Sequence, residues 1–377
     1  MIKAAYIHIP FCEHICHYCD FNKVFLQGQP VNEYLQSMKR EIELTLERYP
    51  TSRLETIFVG GGTPTALNEQ QLETLCNIIN ELLPHNQQTE YTFEANPGDL
   101  SKEKFQILRN AGVNRLSFGV QTFNNELLKK IGRVHRAEDV FKSIELAKNS
   151  GFENVSVDLI YSLPGQTLND FKETLSTAFT LDITHFSGYS LIIEPKTIFY
   201  NLMNKGRLTL PGEDIEAAMY EELIEAMEHH GYAQYEISNF SRPGYESKHN
   251  LTYWNNEEYY GFGAGAHSYL NGKRRSNIGP LKKYMEPIHK GELPILEENK
   301  LTQAEQMEEE MFLGLRKNMG VSISGFKNKF GINVLEHFGV EIKDLQEKGL
   351  IEVENNHVRL TKQGRFLGNE VFQTFLG

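Results

Sequence analysis

Tyr6-Ile7-His8-Ile9-Pro10-Phe11-Cys12-Glu13-His14-Ile15-Cys16-His17-Tyr18-Cys19-Asp20-Phe21 is a β-rich run that leads into three cysteines spaced C-x3-C-x2-C. Three thiolates on one tight loop can hold three irons of a cubane [4Fe–4S] cluster, which normally takes four cysteine ligands. The fourth iron then keeps an open position where a substrate or cofactor can bind directly. Two other readings stand beside it. With His14 and His17 the loop offers five borderline ligands, which would suit zinc, although zinc sites usually come as two separated ligand pairs and no second pair follows. The cysteines could also be plain reduced thiols. Cys76 lies among Leu72, Leu75, Ile78 and Ile79 at helical spacing and reads as core.

Around that loop, strand and helix alternate to about residue 192. β-rich runs fall at Ala4–Ile9, Thr56–Val59, Tyr91–Ala95, Arg115–Val120, Asn154–Ile160 and His185–Leu191. Between them, Val31, Leu35, Met38, Ile42 and Leu46 follow helical spacing, as do Leu72, Leu75, Ile79 and Leu82 behind Asn68. Val140, Ile144 and Ala147 do the same, with Gly151 as the stop. Six such repeats predict a parallel sheet with right-handed crossovers. A closed barrel needs eight, so the expected fold is α/β, a partial, open (β/α)6 barrel over residues 1–192.

The pattern then changes. Residues 193–290 read as an α+β extension, with a helix at Glu213–His229, a strand at Ala233–Ile237 and an aromatic, glycine-rich stretch from His249 to Gly272. Residues 291–377 read as a winged-helix-like module: helices around Met307–Arg316 and Val334–Lys348, then Ile351–Val353 and His357–Leu360 flanking Asn355-Asn356. Within 301–377, eleven Asp and Glu face nine Lys and Arg, unlike a DNA reader. The net charge of −12 over 377 residues likewise argues against nucleic-acid partners. No apolar run reaches the length of a membrane span, and with a strand beginning almost at once no signal peptide is expected. Neither fact bears on peripheral membrane contact.

The chemistry-bearing residues collect at predicted strand ends, where barrels place their sites. Gly60-Gly61-Gly62-Thr63-Pro64-Thr65 follows the second strand. As a bland feature it is a tight turn; after a cysteine loop it favours close backbone approach to a ligand. Glu94, Gln121, Arg133 and Asp158 are ordinary singly. Together they could grip the ammonium and carboxylate of an amino acid and the hydroxyls of a ribose. Asp158 inside an apolar strand needs a partner. His249-Asn250-Leu251-Thr252-Tyr253-Trp254 holds the only tryptophan. It reads either as an aromatic core cluster with a surface histidine, or as an imidazole able to ligate haem iron beside rings that stack on a porphyrin. Gly261–His267 is glycine-rich but lacks the strand–helix unit and acid of a dinucleotide site, and is expected to be a turn near the active site.

Tyr6-x-His8-Ile9-Pro10-Phe11-Cys12, the cysteine loop, Gly60–Thr65, Phe93–Pro97, Val120-Gln121, Asp158–Pro164 and the C-terminal module together carry a resemblance. The whole chain resembles the oxygen-independent coproporphyrinogen III oxidase (HemN)-like family of radical S-adenosylmethionine (SAM) proteins. Within it, the chain is most similar to the haem-chaperone branch. The decarboxylases carry a fourth cysteine two positions after the third, where Phe21 stands here; His-Asn-x-x-Tyr-Trp marks the chaperones.

The resemblance implies that Cys12, Cys16 and Cys19 ligate a [4Fe–4S] cluster with SAM on its open iron. It places Tyr6, Tyr18, Gly61, Gly62, Thr63, Glu94, Gln121, Arg133 and Asp158 at positions that contact SAM, some of which serve a second SAM site in the decarboxylases. It makes His249 the haem ligand or its partner. The implied function is binding of haem and its delivery to acceptor haemoproteins, with haem donors as further partners, in the cytoplasm or at the inner membrane face. A homodimer is compatible with an exposed cluster face. The rival is a radical enzyme that cleaves SAM to a 5′-deoxyadenosyl radical and decarboxylates a porphyrinogen.

Overall fold

The computed structural model describes residues 2–377. Six strands, β1 (Ala4–Ile9), β2 (Thr56–Gly61), β3 (Glu90–Ala95), β4 (Arg115–Gln121), β5 (Asn154–Tyr161) and β6 (His185–Ser190), pair in chain order and all run parallel. All six predicted strands are present. Their outer residues are apolar: Ile57, Val59, Phe93, Leu116, Phe118, Val155 and Val157 join one core with the surrounding helices. The alternate residues are polar or small, including His8, Thr92, Glu94, Ser117, Gly119, Ser156 and Asp158. A period of two thus sets an oily outer face against a chemically furnished interior.

The crossovers are helical. Helix α1 (Val31–Arg48) buries Leu35, Met38 and Ile42, and α2 (Glu69–Leu82) buries Leu72, Leu75 and Cys76. Asn68 and Gln71 close a capping box on α2, and Thr167 and Asp170 close another on α5 (Leu168–Phe179). Between these lie α3 (Lys102–Asn110) and α4 (Ala137–Asn149), the latter followed by Gly151 at φ +85°.

The sheet stays open and grows at both edges to twelve strands. Beside β6 come the antiparallel strands β8 (Asn239–Ser241) and β7 (Ala233–Glu236). Beside β1 comes β9 (Tyr259–Phe262), a seventh parallel strand, then the antiparallel β10 (His267–Leu270), β11 (Lys273–Asn277) and β12 (Ile295–Lys300). The Gly261–His267 run, expected as a turn near the active site, is the end of β9 and its turn into β10. It packs behind β1. A Cβ on Gly261 would meet the His267 carbonyl oxygen at 1.8 Å, and one on Gly263 the His8 carbonyl oxygen at 2.5 Å. Buried Glu41 fastens the turn by accepting from the Gly263 N–H, the Asn277 amide and the Tyr284 hydroxyl.

Helix α6 (Glu213–His229) forms as predicted. Strand β12, within the range expected for the C-terminal module, belongs to the large sheet. Beyond it a second core gathers Met307, Met311, Phe326, Leu345, Val358 and Phe372 around a three-stranded sheet. The single helix expected over Val334–Lys348 is two, Val334–His337 and Gly339–Glu347. The chain bends at Phe338 (φ −107°, ψ 29°), whose buried ring joins that core. Asn355 and Asn356, both at positive φ, make the hairpin turn.

Candidate functional site

At the C-terminal ends of the strands lies a cavity of about 490 Å³. Cys12, Cys16, Cys19, Tyr18, Gly61, Gly62, Thr63, Glu94, Gln121, Arg133 and Asp158 all line it. Two site residues expected from the sequence lie elsewhere: Tyr6, one turn of the pleat below His8, and His249, at the opposite end of the barrel.

The cysteine loop is clamped from below. The His17 ring bonds the Lys130 carbonyl at 2.9 Å, the His17 N–H donates to the Ile131 carbonyl, and the ring packs edge-on to Phe199. Among the described residues, no three His, Cys, Asp or Glu side chains are grouped to hold a single metal ion. A cubane offers a separate iron corner to each thiolate and needs no such convergence. The donors around the sulfurs suit thiolates: Arg133 Nη1 stands 3.4 Å from Cys16 Sγ, and Thr63 Oγ1 3.7 Å from Cys12 Sγ. Burial pushes the Cys12 thiol up to about 11 and also raises Cys19. Unliganded, both are therefore protonated at neutral pH, and cluster assembly must release those protons. The residues fit a [4Fe–4S] group.

The glycine run is demanded by the protein itself. A Cβ on Gly60 would meet Glu94 Oε2 at 2.5 Å, one on Gly61 the His8 ring at 2.4 Å, and one on Gly62 the backbone of Ile9 to Phe11 at 2.8 Å. The expected close approach of a ligand is thus first a close approach of three strands. Gly61 (φ +109°) also donates its N–H to Glu94 Oε2 at 2.9 Å.

Two buried carboxylates form the floor. Burial raises Glu94 to about 7, with the Gly61 bond opposing and Asp158 adding. Burial raises Asp158 too, against bonds from Ser187 and Ser117, the latter at 3.2 Å. Such carboxylates await a cation. Arg133 beside them donates to the Gly119 carbonyl, and Gln121 is held at φ +69° where β4 bulges. A strained residue at a cavity wall is what a pre-shaped ligand site requires. Cationic, anionic and amide groups thus converge as an amino-acid sulfonium ligand would need.

The sequence reading missed Ser117, Tyr189 and Asn96, which also line the cavity. The signal was available in the pleat: Ser117 shares a face with Gly119, and Asn96 with Glu94.

At the other end, α7 (Lys248–Trp254) stoppers the barrel. Glu90, at the start of β3, accepts from the Lys248 and His249 N–H groups and the Ser247 hydroxyl. His249 is 1 % exposed. Its Nδ1 bonds Thr56 Oγ1 at 3.1 Å and its Nε2 the Tyr253 hydroxyl at 2.8 Å, with Phe58 stacked at 5.1 Å. Burial, then the Arg115 charge, lowers its pKa to about 3. Of the two readings of this motif, the structure displays an aromatic core cluster, but with a buried rather than a surface histidine; both nitrogens are already engaged.

Residues 6–178 match the model of the radical SAM superfamily, and residues 301–367 that of the HemN C-terminal domain. The chain is 57% identical to the heme chaperone HemW of Bacillus subtilis over all of both chains. It is 47% identical to that of Lactococcus lactis, covering 99% of this chain and 97% of the relative. The solved coproporphyrinogen III oxidase (HemN) of Escherichia coli superposes with a TM-score of 0.86 at 25% identity, over 99% of this chain and 90% of that one. A cysteine loop that fits a cluster, buried carboxylates beside it and identity of this extent converge: the chain belongs to the HemW family of radical SAM proteins.

Proposed function

We propose that this protein is a haem chaperone, which binds haem together with a [4Fe–4S] cluster and SAM and delivers the haem to acceptor haemoproteins. One observation carries the reading: full-length 57% identity to a heme chaperone, against 25% to an oxidase of the same fold. Phe21 supports it, standing 60% exposed at the cavity where the decarboxylases carry their fourth cysteine.

A bound cluster supplies the open iron on which SAM sits. Cys12, Cys16 and Cys19 hold it. Glu94 and Asp158 face the positive charges of SAM, Arg133 its carboxylate, and Gly61, Gly62, Thr63, Gln121 and Tyr18 shape the walls. Tyr6 supports this floor from below by bonding His8 Nδ1 at 3.0 Å. His249 is the haem ligand or its partner, and in that role α7 must leave its seat. No helix among the described residues is long and apolar enough to cross a membrane. The protein works in the cytoplasm, with contact to the inner membrane face, and its partners are acceptor haemoproteins, haem donors and a second copy.

The intact cysteine loop and cofactor floor favour a second reading, radical SAM decarboxylation of a porphyrinogen. Anaerobic reconstitution, followed by assay with haem or with coproporphyrinogen III, SAM and reductant, decides between them. Haem passed to an apo-haemoprotein without decarboxylated product supports the chaperone. Stoichiometric 5′-deoxyadenosine with loss of carbon dioxide overturns it.

A further inference from the structure

Cys12 differs from the other loop cysteines. It lies in a short strand pairing with Val24-Phe25 and is 6% exposed, whereas Cys16 and Cys19 are half-buried. Its sulfur faces the hydroxyl of Thr63 at 3.7 Å. A hydroxyl can donate or accept, so the direction of its proton has to be argued.

Asn96 fixes that direction. Its amide nitrogen lies 3.1 Å from Thr63 Oγ1 and 3.1 Å from Asp99 Oδ2. A carboxylate only accepts, so the amide group turned to Asp99 is the NH2 and not the oxygen. The same NH2 reaches Thr63 Oγ1, which must accept there. The threonine's own proton is left for Cys12. The backbone keeps the hydroxyl in place, since the Thr63 N–H donates to the Phe11 carbonyl at 2.8 Å. The order Asp99 ← Asn96 → Thr63 → Cys12 is thus set by one acceptor-only group at its end.

We propose that Asn96 is a positioning residue for the cluster, holding the Thr63 proton on the Cys12 thiolate and so raising the cluster's reduction potential. Hydrogen bonds to cluster sulfurs favour the more negative, reduced state. The proposal rests on the reading of Cys12, Cys16 and Cys19 as cluster ligands.

The test is a redox titration of the reconstituted full-length protein, followed by electron paramagnetic resonance without SAM, because Thr63 also lines the cofactor cavity. Thr63→Val keeps shape and loses the proton; Asn96→Leu keeps bulk and loses its direction. Each should shift the midpoint to more negative potential. Held at the wild-type midpoint, each should lower the ratio of reduced to oxidised cluster about fivefold, the worth of roughly one hydrogen bond. Thr63→Ser should restore the wild-type value. Asn96→Leu added to Thr63→Val should produce no further shift, which a merely structural role for Asn96 would not yield. An unchanged midpoint in Asn96→Leu, or additive shifts in the double variant, overturns the proposal. If Thr63→Val takes up no cluster, Asn96→Leu, one residue further out, decides alone. A wild-type protein that assembles no cluster overturns the cluster reading and this proposal with it; haem transfer, measured separately, stands or falls independently.

Discussion

The two mouths of the barrel are built from the same six strands and are opposites. At the C-terminal mouth, thiols, two carboxylates and a strained glutamine converge on open space, ringed by exposed Phe21 and Ile192. At the N-terminal mouth, α7 fills the opening, and both nitrogens of His249 and both oxygens of Glu90 are bonded. One end faces two buried carboxylates, both raised in pKa by burial, onto open space; the other has been closed by the chain's own groups. The cofactor site is therefore preformed, while any role for His249 in haem binding requires a conformational change.

Breaking the open mouth should give the largest effect. Cys16→Ser should abolish cluster uptake, read as iron and sulfide bound after anaerobic reconstitution. Haem binding that survives in that variant shows the two mouths to be separable; its loss shows them coupled.

His249→Ala strikes the closed mouth. It removes a stacked ring and two hydrogen bonds, and should cost about 2–4 kcal/mol of stability in denaturant unfolding. Loss of haem binding along with that cost does not separate ligation from packing, so Thr56→Val is the companion. It frees only Nδ1 and should keep haem affinity if His249 is a ligand. Full haem binding by His249→Ala would remove the residue from the site.

Glu90→Ala removes the latch on α7. It should cost about 2 kcal/mol and speed hydrogen exchange over residues 247–254, because three donors lose one carboxylate. If α7 must move for haem to bind, the same variant should bind haem faster than the wild type. Unaltered association would mean that the plug stays seated.

Glu94 gives the open mouth a pH signature. Its folded pKa, about 7, lies above the unfolded value of about 4.3. Its contribution to stability is therefore complete below about pH 4.3 and is lost as pH rises through about 7. SAM, bearing a sulfonium and an ammonium, prefers the ionised carboxylate. Its affinity should rise by up to about tenfold between pH 6 and 8, measured by calorimetry, and Glu94→Gln should flatten the profile. The smallest effect belongs to Phe21→Ala, within about 0.5 kcal/mol in unfolding, since that ring packs on little.

Much of what could be read locally agrees with the structure, the single helix expected over Val334–Lys348 being an exception. The period-two strands and the helical stripes at Val31–Leu46 and Leu72–Leu82 are short-range patterns, and each of these elements stands where they placed it. The cavity brings together eleven of the twelve residues expected around cluster and SAM, Cys16 and Asp158 among them, because all sit at or beyond strand ends; a parallel sheet brings its carboxyl ends together whatever its loops contain. Tyr18, Gly61 and Arg133 are in that set and Tyr6 is near it, one pleat too low.

The rest depended on contacts far apart in sequence. Nothing local to Tyr259–Phe262 says that it will lie parallel to β1, some 250 residues earlier; that follows from Glu41, Asn277 and Tyr284 fixing its turn. Nothing in His249–Trp254 says that the helix will enter the barrel, because its anchor, Glu90, is an ordinary charged residue until the fold brings it beneath the helix N–H groups. Sequence by itself determined the six parallel strands and the helices between them, since side-chain period acts within a few residues. Tertiary structure alone decided which mouth is open and which is sealed, since that depends on which polar groups find partners across the whole chain.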